Sequence, residues 1–264
     1  MSEEYAKHLA RIAPPPPEKR VWSTKAHVRL AIVMPEPRPH RFMRPVLHAA
    51  AHVYGGDPDV ALCILHGTGN EGFVRDVVGG WEGVRCVNLG VANLSIPDYN
   101  ERLTSAAFYR DLHADFVLIL QTDALLRKRV PEAFFAFDYV GGPWHHMPCG
   151  GGTNARNRVG NGGFSLRRCE AMASICERGG GGRHRSEDVF FAERVDMTRM
   201  PTVEEASAFA VEHIRHPDPV GHHQAYVFHD AAYVAGLVAT TPGYVGESQE
   251  ASSSTATDPG APTA

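Results

Sequence analysis

The sequence has no apolar run long enough to cross a membrane, no CxxC pair and no basic excess. Its longest apolar stretches, such as Val117 to Leu120, fall far short of the roughly 18–20 residues that a span needs. The first thirty residues hold prolines and scattered charges, not a charged start followed by an apolar segment, so no signal peptide is read there. Cysteine is scarce. Cys63, Cys86, Cys149, Cys169 and Cys176 are an odd number, which argues against a disulfide scaffold or a zinc ribbon and for a reducing, cytoplasmic setting. Lys and Arg total 26 against 30 Asp and Glu, a net charge of −4, which is no electrostatic footprint for wrapping nucleic acid. HExxH, GxSxG and GxxxxGK[ST] are all missing, so zincins, serine hydrolases and Walker-type NTPases have no support.

What is present is enough apolar material for one large α/β domain: 264 residues, 43% of them hydrophobic. Fifteen histidines make the charge swing strongly between pH 7 and pH 5. The ends read differently from the middle. Residues 1–26 form a proline-rich arm around Pro14-Pro15-Pro16-Pro17. Residues 241–264 form a disordered tail, rich in Ser, Thr, Ala, Gly and Pro from 247 onward. Between them, residues 27–240 carry a repeating pattern. Apolar runs at Val28–Met34, Val60–Leu65, Val84–Leu89 and Phe116–Leu120 predict strands. Helical spacing predicts helices at Pro45–Tyr54, Gly72–Val78 and Tyr99–Leu112. Such alternation means a largely parallel sheet covered on both faces. After Asp123 the alternation stops, with short strands expected at Phe137–Val140 and Gly163–Leu166 and a helix at Cys169–Arg178.

Several motifs compete for function. Gly67-Thr68-Gly69-Asn70-Glu71-Gly72 fits GxGxxG, but it follows the second strand, and the next strand ends Asn88-Leu89-Gly90 without the ribose-binding acid. A glycine-rich turn is the better reading, with an NAD(P)-dependent oxidoreductase as the alternative. Asp57-Pro58-Asp59 precedes a strand and reads as a solvated turn. Asp123 directly follows the Phe116–Leu120 strand and Gln121-Thr122, at the carboxyl end where open sheets bind ligands. There it is either a hard oxygen ligand for Mg²⁺ or Mn²⁺, or an N-cap for Ala124-Leu125-Leu126. Gly160 to Arg167 puts small residues at a strand start, where backbone approaches a ligand closely. Ser186-Glu187-Asp188-Val189-Phe190-Phe191 opens a helix on two acids, a place for a general base or simply a cap. His222, His223 and His229 are further ligand candidates, with His145-His146 a competing pair. The glycine-containing loop from His145 to Asn157 reads as a lid hinged at Trp144.

Taken in order, these segments resemble GT-A nucleotide-sugar glycosyltransferases. They are most similar to an uncharacterised glycosyltransferase-like family of large DNA viruses, fungi and bacteria. The resemblance is carried by Gln121-Thr122-Asp123, Asp138 to Trp144, Gly160 to Arg167, Glu187 to Phe191 and Gly221-His222-His223. In outline the chain is also similar to β-1,4-galactosyltransferases, through Met34-Pro35-Glu36-Pro37-Arg38 and Tyr99-Asn100-Glu101-Arg102. The resemblance implies a GT-A-like, Rossmann-like mixed sheet with helices on both faces. It implies transfer of a sugar from a nucleoside diphosphate sugar, a UDP-sugar foremost, to a hydroxyl of a glycan or glycoprotein, assisted by Mn²⁺ or Mg²⁺. Pro35, Glu36, Arg38 and Asn100 would line the base and ribose site, and Gly162 and Gly163 would face donor sugar and acceptor. Asp123 and His223 would hold the metal, with His222 as a substitute for His223. Asp188 would be the acid–base residue and Glu187 would hold a hydroxyl. The first acid of the usual D-x-D is replaced by Gln121. If the chain is viral, its place would be the host cytoplasm or the virion. A non-catalytic carbohydrate-binding protein on the same fold is the remaining alternative.

Overall fold

The computed structural model describes residues 3–145, 158–179, 182 and 186–246. The expected lid, apart from His145, and the expected tail from 247 onward lie outside them; the first residues of that tail, 241–246, instead pack on the domain, with Thr241 buried and Val245 N donating to Arg11 O at 3.0 Å.

The apolar runs form strands whose alternate side chains enter two separate cores. In β1 (Val28–Pro35), Leu30, Ile32 and Met34 pack on one face, and Val28, Ala31 and Val33 on the other. In β4 (Ala114–Leu120), Phe116, Leu118 and Leu120 oppose Val117 and Ile119 in the same way. A strand buried on both faces reads as a continuous apolar run because neither side meets water. β1 lies between β4 and β2 (Val60–His66), parallel to both, and β2 carries β3 (Arg85–Asn88) on its outer edge. Beyond β4 the direction reverses. β7 (Phe164–Arg168) is antiparallel to β4, and β6 (Tyr139–Gly141) is antiparallel to β7. The six-stranded order β3-β2-β1-β4-β7-β6 is the expected mixed α/β sheet.

Helices cover both faces. α2 (Met43–Tyr54) and α3 (Glu71–Val77) pack on one core. On the other lie α4 (Ile96–Leu103), α5 (Ala106–Arg110), α6 (Cys169–Glu177) and α7 (Glu187–Ala192). A second sheet, β5-β9-β8, consists of Ala124–Leu126, Gly221–His223 and Ala210–Val211. It is flanked by α8 (Val203–Phe209), α9 (Ala225–Phe228) and α10 (Ala231–Ala239).

Three local expectations change. Ala124-Leu125-Leu126 is β5, not a helix, so Asp123 is not its N-cap: these residues pair antiparallel with His223, His222 and Gly221. The helix expected over 99–112 is two, because Ser105 is extended and ends α4 after the Thr104 N–H bond to Asn100 O at 2.9 Å. The N-terminal segment packs onto the domain. α1 (Glu3–Leu9) sets Tyr5 and Leu9 in the core with Ile12 and Trp22, and Ala13 N donates to Gly243 O at 2.8 Å.

Leu9 is fully buried. Leu9→Ala is therefore expected to cost about 2–5 kcal/mol in urea unfolding, the range for a core leucine. An unpacked arm would show no change.

Candidate functional site

Parallel strands β1 and β4 deliver their carboxyl ends, and antiparallel β7 delivers its start, to one edge of the sheet. There a crevice of about 510 Å³ opens. Pro35, Glu36, Arg38, Asn100, Asp123, Gly162, Gly163, Glu187, Asp188 and His223 all line it. Asn161, Glu212 and Gln224 join them. No motif pointed to Glu212 or Gln224 in the sequence, because each comes to the crevice only through the second sheet.

At the β1 end, Glu36 is buried and committed to Arg38. Its Oε1 accepts from Arg38 N at 3.0 Å and Nε at 2.8 Å, and its Oε2 from Nη2 at 3.0 Å. Glu36 thus braces the guanidinium, whose side chain stays 55% exposed at the crevice. Asn70 locks this turn from below: its Nδ2 donates to Glu36 O and Arg38 O, both at 2.9 Å, and its Oδ1 accepts from Gly67 N at 2.8 Å. That is the work of the GxGxxG-like stretch. A Cβ on Gly67 would collide with the carbonyls of Pro37 and Val91, and Gly67, Gly69 and Gly72 do not line the crevice. Asp57 and Asp59 sit at the opposite end of β2, paired with Arg129 and Lys25, as a solvated turn should.

The centre of the site is His223. Nε2 lies 3.2 Å from Asp123 Oδ1 and 3.2 Å from Gln121 Oε1. Nδ1 lies 3.1 Å from Glu212 Oε1 and 2.7 Å from Asn161 Nδ2. Burial pushes the imidazole down, but hydrogen bonds and charge from Asp123 and Glu212 outweigh it and raise it to about 9. Burial likewise pushes Asp123 up, and His223 with the Gln224 amide brings it down to about 2. Gln224 adopts a left-handed φ of 48°, unusual outside glycine, and donates from Nε2 to Asp123 Oδ2 at 2.9 Å. Gly163 makes room for all this, since a Cβ there would strike His223 and Gln121. His222 points the other way. It is fully buried, edge-on to Tyr5 at 6.0 Å, and burial lowers it to about 3, so it does not substitute for His223.

Among the described residues, no group of three or more His, Cys, Asp or Glu is placed to hold a metal. The donors Asp123 Oδ1, Gln121 Oε1 and, on loss of its proton, His223 Nε2 nevertheless fit a hard divalent ion. Oδ1 is buried with the His223 ring alone beside it, and the 3.2 Å spacings from Nε2 approximate those of adjacent ligands on bonds of about 2.1 Å. Gln121 supplies a neutral carbonyl, and its amide is fixed by donation to Tyr99 OH at 2.7 Å.

Across the crevice α7 begins with the two acids. Glu187 is buried, pairs with the fully buried Arg167 at 2.7 Å, and its backbone N donates to Asn100 Oδ1 at 3.2 Å. A Cβ on Gly162 would strike its carboxylate. Asp188 is partly buried, with Oδ1 accepting from Val189 N at 2.7 Å. Burial, then the charge of Glu187, raises it to about 7. Two aspartates of one crevice are thus held at opposite ends of the carboxylate range, the pattern of one fixed charge and one proton-exchanging group.

Fold and crevice together define a mixed α/β protein with an open crevice at the carboxyl ends of its strands. The model of DUF5672, described as a protein of unknown function, matches residues 84–223, just over half of the sequence, and the chain belongs to that family. Similar solved structures include TarS 1–349 of S. aureus, at 10% identity and TM-score 0.46, over 66% of this chain and 57% of that one. Another is the mannosyltransferase PcManGT of Pyrobaculum calidifontis in complex with GDP-Man and Mn²⁺, at 12% identity and TM-score 0.43, over 75% and 60%. The chain thus spans less than two thirds of the length of either. No curated protein matches the sequence.

The raised Asp188 has a sign that can be checked. A carboxyl whose folded pKa exceeds its unfolded value gives up stability as pH rises through the window from about 4 to about 7. Asp188→Asn is expected to raise Tm above that of the parent protein at pH 8.5 and to match it closely near pH 4, by thermal unfolding.

Proposed function

We propose that the protein transfers a sugar from a nucleoside diphosphate sugar, a UDP-sugar foremost, to a hydroxyl of a glycan or glycoprotein acceptor. The observation that carries this reading is the crevice itself, where a low-pKa aspartate paired with a histidine faces a carboxylate poised near neutrality. The first arrangement suits the diphosphate end of a donor, and the second suits a hydroxyl that must lose its proton. The GxGxxG-like stretch lies outside the crevice, which disfavours the oxidoreductase reading.

In this reading Pro35 and Arg38 border the nucleotide, and the braced guanidinium of Arg38 faces the diphosphate. Asp123, His223 and the Gln121 carbonyl would hold Mn²⁺ or Mg²⁺, which supplies charge neutralisation of the leaving diphosphate. Gly162 and Gly163 let the sugar approach the backbone. Asp188 accepts the proton of the acceptor hydroxyl as that oxygen bonds to the anomeric carbon. The bond from that carbon to the phosphate oxygen breaks, and the diphosphate departs with the electron pair. Glu187, fixed by Arg167, holds a hydroxyl beside it.

A thermal-shift screen of UDP-, GDP- and dTDP-sugars with and without Mn²⁺ tests the donor, since a ligand bound to the folded state raises Tm by mass action. One nucleotide series is expected to stabilise the protein, more so with Mn²⁺. EDTA and Asp123→Asn should each remove the metal's increment; equal shifts with EDTA and Mn²⁺ would refute the metal role. With donor and acceptor in hand, Asp188→Asn should lower kcat by about 10²–10⁴-fold and leave donor affinity nearly unchanged. Retention of more than about a tenth of kcat would remove Asp188 as the base.

A further inference from the structure

The carboxylates of the crevice are provided for in different ways. Both oxygens of Glu36 are taken by Arg38. Glu187 Oε2 faces the Arg167 guanidinium at 2.7 Å. Asp123 has the Gln224 amide on one oxygen and His223 beside the other. Glu212 differs. It follows β8, is 6% exposed and lines the crevice. Its Oε1 is held by Asn161 Nδ2 at 2.7 Å and His223 Nδ1 at 3.1 Å. Its Oε2 is buried with no hydrogen-bond partner among the described residues, and no ion pair reaches it there. A buried carboxylate oxygen without a donor is costly, and in a cavity wall it marks where a ligand's donor belongs.

We propose that Glu212 is a specificity-determining residue whose Oε2 accepts a hydroxyl of the sugar carried by the donor nucleotide. The inference rests on the glycosyl-transfer reading of the crevice and names the residue that reads the sugar. A carboxylate only accepts hydrogen bonds, so the ligand group must be a donor, and the anionic diphosphate is excluded. The nucleotide base is excluded by place. Glu212 is anchored to Asn161 and His223, beyond the metal-binding donors, whereas the Pro35–Arg38 turn is the nucleotide border. Glu212, Asp188 and the metal-binding donors line the same crevice, and the sugar ring of a donor seated there must lie among them.

The test is a pair of calorimetric titrations on the full chain, with UDP, GDP or dTDP alone and with the matching nucleoside diphosphate glucose. Relative to wild type, Glu212→Gln should lose roughly 10–100-fold more affinity for the nucleotide-sugar than for the nucleoside diphosphate, the usual loss for a hydrogen bond to a charged group. An equal loss for both ligands would mean that Glu212 acts only by holding His223, and would overturn the inference. So would an unchanged affinity for the nucleotide-sugar. If wild type binds none of these ligands, the donor reading itself fails, an outcome distinct from wild-type binding with an indifferent variant. Should Glu212→Gln not fold, Glu212→Asp keeps the charge and withdraws Oε2 by one methylene. The same two titrations then decide, with the same selective loss expected.

Discussion

The site is organised around one imidazole. His223 touches Asp123 and Gln121 through one ring nitrogen and Glu212 and Asn161 through the other. Those partners come from the end of β4, the end of β8 and the loop before β7. The ring therefore ties the second sheet to the first. The backbone supports the same join: Ala124 pairs with His223 across β5 and β9, and Gln224 N donates to Asp123 O at 3.0 Å. Space for the ring exists because position 163 has no Cβ. Remove the imidazole and two buried carboxylates lose a shared counter-charge, which a low-dielectric interior makes expensive.

The remaining acids follow from the same constraint. Many carboxylates around one crevice repel each other unless each has a private partner. Arg38 serves Glu36 and Arg167 serves Glu187, and both arginines lie close in sequence to the glycine- or proline-containing turns that form the walls. Among the described residues no cation pairs with Asp188, and burial and the neighbouring Glu187 lift it towards neutrality. The contrast with Asp123, held at about 2, follows from which residues had a cation within reach. One aspartate is thereby a permanent anion and the other a group that exchanges protons near pH 7.

Much of the architecture was legible in the chain. Unbroken apolar runs ending in polar residues gave β1, β2 and β4, because strands covered on both faces need no alternation. The weakness lay where length and local preference disagree with context. Ala124-Leu125-Leu126 is too short for periodicity to separate helix from strand, and the pairing with Gly221–His223 decided it. The stretch over 99–112 has helical spacing throughout, yet Ser105 is extended and divides it. The proline-rich start shows no long apolar pattern, but Tyr5, Leu9, Ile12 and Trp22 are single anchors that find the core individually.

For the site, the sequence by itself determined the residue types at the strand ends: Pro35 to Arg38 after β1, Asp123 after β4, the glycines before β7 and the paired acids opening α7. Strand polarity fixes which end of a parallel sheet faces ligand, so those positions follow from chain order. Only the tertiary structure decided between His222 and His223, because alternate residues of a strand face opposite sides and the burial of β9 had to be seen. It alone brought Glu212 and Gln224 into the crevice, through a second sheet whose strands are too short to announce themselves. It alone also set Asp123 and Asp188 on opposite sides of the ordinary carboxylate range. Proton affinity depends on the charges within a few ångströms, and those neighbours come from distant parts of the chain.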